Sequence, residues 1–245
     1  MGKPSNSGLT PHRRRQPQFK CASLQNRRRK PDLSGLWRLI PTSDPGLLGL
    51  PFGVEFVNIG ASLTDGIPYQ PWAAALVKNT QTNQRAHDPL PHCLPIGPVR
   101  SHTITFYREL IQLPGRVVIL NEHNTSYRQI FTDGRTLPVE PIPNVNGYSV
   151  GAWEADTLVV RTIGLRDGLW LDNRGSPLTD AATFIERFRR LTIGRLDVAL
   201  TVDDPKAYTK PWTVTLRQEL MADVELSDAV CDEEGLDALR DLTRK

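Results

Sequence analysis

The chain has 245 residues, of which 39% are hydrophobic and 23% charged, a composition typical of one ordinary globular domain or two small ones. It contains no run of 18 apolar residues, which excludes a membrane-spanning helix. Three cysteines are too few for a scaffold built on disulfides. The 20 prolines and 18 glycines are more typical of a turn-rich β protein than of a helical bundle.

The net charge of +3 is unevenly distributed along the chain. Residues 1–31 hold nine lysines and arginines and no acid, whereas the rest holds 21 basic and 27 acidic residues. Because apolar side chains are scarce there, we expect residues 1–30 to form a disordered basic tail. Nucleic-acid binding would depend wholly on that tail, and we expect no nucleic-acid partner. No apolar secretion signal follows the arginines, so the chain as written is expected to be cytoplasmic; with an incomplete leader it would be periplasmic or secreted.

A β domain is expected over residues 31–232, followed by a polar tail over residues 233–245. Near its start, Pro71 suits the first turn of a helix, and the pattern predicts a helix from there to about Arg85. Residues 87–95 contain three prolines and are predicted to form an extended loop.

From His102 onward the sequence follows the two-residue alternation of β-strands. Seven strands are predicted, at residues 102–112, 116–121, 126–132, 151–162, 185–192, 196–203 and 213–220. The turn signals are Pro114-Gly115, Asp133-Gly134, Glu154-Ala155-Asp156 and Asp203-Asp204-Pro205. Short strands with almost no helix between them predict an antiparallel barrel or sandwich.

Two resemblances favour the barrel. Gly35-Leu36-Trp37 resembles the Gly-x-Trp that opens the first strand of calycin barrels, the lipocalins and their relatives. More extensively, the chain resembles an uncharacterised bacterial family of β-rich proteins that are usually exported. The blocks that carry this resemblance include GAWEADTLVV at residues 151–160, ERFRR at 186–190 and DDPKAYTKPW at 203–212. We therefore predict a mainly β protein: a single antiparallel, calycin-like or lipocalin-like β-barrel, one or two short helices and a long proline-rich N-terminal segment.

The family resemblance also implies a disulfide, and the chain departs from the family's sequence pattern at one place. Cysteines recur in the family at the positions of Cys93 and Cys231, so these two are expected to pair, which fits an oxidising compartment. After Gly175 the family usually has His-Pro-His, where this chain has Ser176-Pro177-Leu178. No role that needs those imidazoles is therefore expected here. The resemblance implies one domain and no particular activity.

The best candidate for chemistry is Glu186, which shares a strand face with Phe184 and Phe188. A carboxylate on an apolar face is either paired, for example with an arginine across the sheet, or has the raised pKa of a general acid or base. Both alternatives remain open on the sequence alone.

Three further residues are candidate catalytic groups. Glu122 continues the face of Val118 and Leu120, whereas His123 lies on the opposite face, so both can point inward only if a bulge intervenes. His102 is a third inward candidate, although a lone histidine on an apolar face is often a core residue with a satisfied partner.

Candidate substrate-binding residues lie beside these strands and in the loops that follow. They are Tyr127, Arg128, Trp170, Asp172, Tyr208 and Trp212. Aromatic rings suit a pocket wall or a core equally, and an aspartate in a turn often bonds only to its own backbone.

We expect no metal and no cofactor. His87, His92 and Cys93 lie in one loop but without the spacing of known metal motifs, and phosphate-loop and dinucleotide glycine patterns are missing. The sequence therefore favours a cofactor-free acid/base enzyme of the isomerase, cyclase or lyase (dehydratase) type, acting on a small, largely apolar molecule held in the barrel. The alternative is a non-catalytic, lipocalin-like carrier of a lipid or other apolar ligand. Either barrel closure or a homodimer is expected to cover the sheet edges.

Overall fold

The computed structural model describes residues 30–40, 54–82, 88–229 and 231. The basic tail up to residue 29, His87, and the chain after residue 231 lie outside them, so the predictions made there stay predictions. Within the described residues the helices are α1 (Val54–Val57), α2 (Pro71–Thr82) and α3 (Gly97–Thr103). The strands are β1 (Gly35–Leu39), β2 (Arg108–Leu113), β3 (Arg116–Asn121), β4 (Ser126–Phe131), β5 (Tyr148–Glu154), β6 (Thr157–Ile163), β7 (Leu169–Trp170), β8 (Pro177–Leu178), β9 (Thr183–Thr192), β10 (Arg195–Asp203) and β11 (Trp212–Leu220).

Nine of these strands close into a barrel in the order β1-β11-β10-β9-β6-β5-β4-β3-β2. The barrel closes where β1 pairs with both β11 and β2, so each of its strands has a neighbouring strand on both sides. Every neighbouring pair is antiparallel except β4 and β5, which pair in parallel through two residue pairs only. The remaining strands, β7 and β8, form a separate two-stranded sheet. The prediction of a mainly β protein built around a barrel is confirmed.

The two-residue alternation determines which side chains face inward. Along β10 every second residue from Leu196 to Val202 is buried, and along β9 the buried set is Phe184, Glu186 and Phe188. Trp37 of β1 is also fully buried in this core. Each large apolar side chain removed from water stabilises the fold by about 1.5–3 kcal/mol. The interior is therefore mainly apolar, with Glu186 as an ionisable exception.

Two of the predicted strands each correspond to two separate elements in the structure. The predicted strand at 102–112 begins as helix α3, so the prediction of a strand for His102 was wrong, and β2 starts only at Arg108. Pro98 in the first turn favours the helix, and all seven of its residues are buried. Tertiary packing thus outweighs a short alternating pattern. The predicted strand at 151–162 turns back at Ala155, whose φ is +53°, and the chain continues as β6.

Two more findings concern the whole domain. Within the described ranges, no helix is both long and apolar enough to cross a membrane. Cys93 and Cys231 form a disulfide across 138 residues of sequence, the pair that the family resemblance implies.

Candidate functional site

An ionic cluster is buried inside the barrel around Glu186. The carboxylate accepts hydrogen bonds from both terminal nitrogens of Arg128, at 2.9 Å for Nη1, and lies 2.8 Å from His102 Nε2. Arg128 also donates to Ser149 Oγ at 3.2 Å and to Thr162 Oγ1 at 2.8 Å. Glu186 is therefore paired with an arginine across the barrel, one of the two alternatives that the sequence leaves open.

The charges in this cluster are fixed at neutral pH. Burial by itself raises the pKa of Glu186, but Arg128 and His102 outweigh it and hold the pKa well below its usual range. Burial, with a contribution from the nearby Arg108, lowers the pKa of His102 from 6.5 to about 4. At pH 7, Glu186 is thus an ionised counter-charge with no proton to donate, and His102 is neutral.

Arg108 adds a second buried positive charge. It donates from Nη1 to the carbonyl oxygen of Ser101 and from Nη2 to Gln218 Oε1. Burial lowers its pKa to about 9, which leaves it charged at neutral pH. No carboxylate among the described residues forms an ion pair with it. The cluster of two arginines and one carboxylate therefore carries one net positive charge.

A cleft opens in the barrel wall between β4 and β5. Only Ile130 and Phe131 of β4 pair with β5, so the first four residues of β4 lack a strand partner on that side. Asn146 spans part of the gap, because its Nδ2 donates to the carbonyl oxygen of Tyr127 at 2.9 Å. The cleft measures about 870 Å³, which falls within the usual range for small-molecule sites. By contrast, the void beside Arg108 and His102 measures about 10 Å³, room for about one water molecule.

The cleft combines aromatic walls with a polar floor. Tyr127, Phe131 and Tyr148 contribute rings, and Arg128 and Ser149 connect the floor to the buried cluster. The disulfide, the loop before α3, the β3–β4 turn and the segment before β5 also line the cleft. Of the predicted binding residues, Tyr127 and Arg128 thus lie here.

His123 also lines the cleft. It follows β3 in a tight turn in which Asn124 and Thr125 both have positive φ, and it is 8% exposed. Its ring centroid lies 5.4 Å from that of Phe106, and its Nε2 has no hydrogen-bond partner among the described residues. Burial, followed by the charge of Arg100, lowers its pKa. The imidazole is therefore neutral at pH 7, and its Nε2 is both buried and unpartnered among the described residues.

Glu122 belongs neither to the buried cluster around Glu186 nor to the lining of the cleft. Its carboxylate accepts a hydrogen bond from the Tyr107 backbone nitrogen at 2.9 Å and one from Ser227 Oγ. The segment that contains Ser227 also bonds to the β3–β4 turn, with Asn124 N donating to Ala229 O at 2.8 Å. The disulfide at Cys231 fastens this segment. Glu122 thus holds the C-terminal segment in place.

Asp172 lies in a turn away from the cleft. It is fully buried and accepts backbone N–H groups from Ile59, Arg174 and Ser176, each at 3.1 Å. Burial raises its pKa, although these N–H donors act in the opposite direction. Its contacts are those of a residue that fixes loop geometry.

The three other predicted binding residues are buried aromatics outside the cleft lining. Tyr208 donates its hydroxyl to Pro177 O at 2.7 Å and packs edge-on against Trp212 at 5.5 Å. Trp170 pairs with Pro177 in the small sheet. Trp212 borders a second cleft of about 390 Å³, and its Nε1 lacks a partner within the described residues.

Several residues of the site were missed by sequence reasoning. Arg108, Ser149 and Thr162 face inward by the same alternation that identified Glu186, so their polar side chains on buried faces were the signal. The cleft itself had no signal, because it depends on the parallel pairing of β4 with β5.

No cluster of three His, Cys, Asp or Glu side chains that could hold a metal occurs in the described part of the chain. Cys93 is taken up by the disulfide. Comparison of the chain with protein-family models, with curated proteins and with solved structures gives no match. The family resemblance thus stays a prediction.

Proposed function

We propose that this protein is a cofactor-free acid/base enzyme of the isomerase, cyclase or lyase type, whose small-molecule substrate binds in the cleft between β4 and β5. One observation carries the proposal: His123 is a neutral imidazole in the cleft wall, with a buried Nε2 that is unpartnered among the described residues and reaches a substrate when the ring turns toward the cleft. A histidine in that state is a common general base in enzymes.

His123 removes a proton from a carbon of the bound substrate, and the electron pair moves into a neighbouring electron-withdrawing group. The guanidinium of Arg128 at the cleft floor stabilises the negative charge that develops there. The protonated His123 then returns the proton at another atom, which gives an isomer. Where the carbanion instead attacks an electrophilic atom of the same molecule, that new bond closes a ring, and the proton goes to the atom that takes up the displaced electron pair. Alternatively, it protonates a leaving group, which gives an elimination product. No cofactor is needed for these steps.

Glu186 has a supporting role in this proposal. It holds Arg128 by two hydrogen bonds and thereby orients the guanidinium at the floor of the cleft. His102 in turn hydrogen-bonds Glu186 at 2.8 Å. Both are positioning residues, and the reacting atoms meet His123 and Arg128.

A non-catalytic carrier is the second candidate. The exposed ring of Tyr127 and the rings of Phe131 and Tyr148 favour it, because aromatic walls bind apolar ligands without any chemistry. The resemblance to calycin barrels points the same way. It is a fold-level analogy, and one barrel can host many functions.

Deuterium incorporation tests the enzyme proposal. The protein is incubated in D₂O with a library of small organic compounds, and mass spectrometry detects any compound that gains deuterium or forms a product. We expect wild-type protein to exchange at least one compound and His123→Gln to lose the activity by at least about 100-fold.

The exposed His92 provides a matched control, since His92→Gln makes the same change at a histidine that is not part of the cleft lining and should retain full activity. A compound that binds but never exchanges in wild-type protein would contradict the enzyme and favour the carrier.

We also propose that the protein functions in an oxidising compartment. The Cys93–Cys231 bond supports this, because structural disulfides persist mainly outside the reducing cytosol. Alkylation of protein taken directly from its native cells would contradict the proposal if both thiols reacted without a reductant.

A further inference from the structure

The lining of the cleft contains no acidic side chain among the described residues. Its basic members are Arg128 and His123, and most other polar members are hydroxyls and amides. The cleft therefore presents the charge of Arg128 to a ligand without a carboxylate beside it in the lining. A cation entering the cleft would meet no counter-charge there.

Beneath the floor lies the cluster with one net positive charge. Arg128 and Arg108 are both buried, and Glu186 compensates only one of them. A neutral His102 leaves this excess unchanged, and a protonated one increases it. A buried charge without a partner is costly, so the excess favours an anion at the nearest accessible position, which is the cleft floor.

The floor also has a hydrogen-bond donor for an anion. Arg128 Nη1 donates only to Glu186 among the described residues, so one of its two hydrogens remains available. The hydroxyl of Ser149 accepts from the same guanidinium and shares a hydrogen bond with Thr162 Oγ1 at 3.0 Å, so it keeps Arg128 in position. The rings of Tyr127 and Tyr148 form walls around this floor.

We infer that the ligand of the cleft is a small organic monoanion, with its carboxylate or similar group against Arg128 and its apolar body between the aromatic walls. This inference rests on the proposed function, because it names the class of substrate that the cleft takes. It also identifies the electron-withdrawing end of the substrate as the end next to the guanidinium.

Two fluorescent probes that differ in one charged group test the inference. They are 8-anilinonaphthalene-1-sulfonate, which is anionic, and N-phenyl-1-naphthylamine, its neutral counterpart. We expect the sulfonate to bind at least about fivefold more tightly at low ionic strength, the effect of one charge pair a few ångström apart in a hydrated cleft. Added salt should weaken the binding of the sulfonate and leave the binding of the neutral probe unchanged.

A matched pair of variants locates the effect. Gln129 lines the cleft, and Gln129→Glu adds a negative charge there with almost no change in shape. It should weaken sulfonate binding by about fivefold and leave the neutral probe unaffected. Gln81→Glu makes the same change on the exposed end of α2 and should affect neither probe.

A third variant separates the failure of this inference from failure of the proposed function. Tyr127→Ala removes an aromatic wall and should weaken the binding of both probes. If it does so while the two probes bind equally and Gln129→Glu alters neither, the cleft binds ligands without preferring anions, and only the inference is overturned. If neither probe binds in the cleft, the proposed site falls together with the inference.

Discussion

Replacing Glu186 by glutamine isolates the charge of the buried cluster. The two side chains have nearly the same shape, so packing against Phe184 and Phe188 is preserved. The amide oxygen can still accept one hydrogen bond from Arg128, but the negative charge is gone. Arg128 and Arg108 then lie buried with no counter-charge among the described residues.

The expected loss of stability follows from that burial. Glu186 is 0% exposed and Arg128 is 3% exposed, so solvent screens this pair very little. Removing one partner of a buried ion pair costs about 3–5 kcal/mol. For a domain of about 150–250 residues, each kcal/mol lowers the melting temperature by about 2–4 °C. We therefore expect Glu186→Gln to melt about 6–20 °C below wild type.

Urea denaturation at pH 7, followed by tryptophan fluorescence, measures the loss directly. The matched control is Glu154→Gln, because Glu154 pairs with Arg187 at 2.8 Å on the exterior, where the side chains are 60% and 49% exposed. Exposed pairs contribute little to stability, so this variant should unfold almost like wild type. A loss for Glu186→Gln no larger than that of the control would refute the reasoning.

Three further predictions concern pH, the disulfide and a glycine. The folded state lowers the pKa of His102 from 6.5 to about 4, so the stability linked to its neutral form is complete above pH 6.5 and decreases by up to about 3 kcal/mol as the pH falls to 4. His102→Asn should flatten that part of the plot of urea midpoint against pH, and an unchanged slope would contradict the assignment. Replacing Cys93 and Cys231 together by serine should lower the free energy of unfolding by about 2–4 kcal/mol, and equal urea midpoints for oxidised wild type and the variant would show that the bond does not stabilise the fold. Gly147→Ala should lower the melting temperature more than Gly168→Ala. Both glycines have positive φ, but only at Gly147 would the new Cβ lie 2.7 Å from a carbonyl oxygen. Equal decreases in melting temperature would mean that the strain of a positive φ alone determines the loss of stability.

Local alternation made much of the barrel predictable. The predicted bounds of the strand at 116–121 match β3, and the ends of β4, β9, β10 and β11 were predicted to within two residues. The inward direction of Glu186 follows from the same alternation, because its apolar neighbours Phe184 and Phe188 must be buried. These features depend on residues close together in sequence, which is why they were accessible.

The rest depends on contacts between distant parts of the chain. Whether Glu186 would be a titrating acid or a fixed counter-charge depends on Arg128, 58 residues away, and alternation gives no cross-barrel partner. The helix at His102 forms because all of α3 is buried. The cleft exists because β4 meets β5 in parallel over two residue pairs, a pairing that no local pattern specifies.

The central claim is that ligands bind in the cleft beside His123, with the barrel interior filled. Long-range ¹H–¹⁵N NMR spectra of the imidazole groups, recorded during titration with 8-anilinonaphthalene-1-sulfonate, test it most directly. His123 lines the cleft, whereas His102 is buried against Glu186. We predict that the signals of His123 shift with saturation at one equivalent of probe while those of His102 stay nearly unchanged. Large shifts of His102 with a silent His123 would place the ligand inside the barrel and contradict the account.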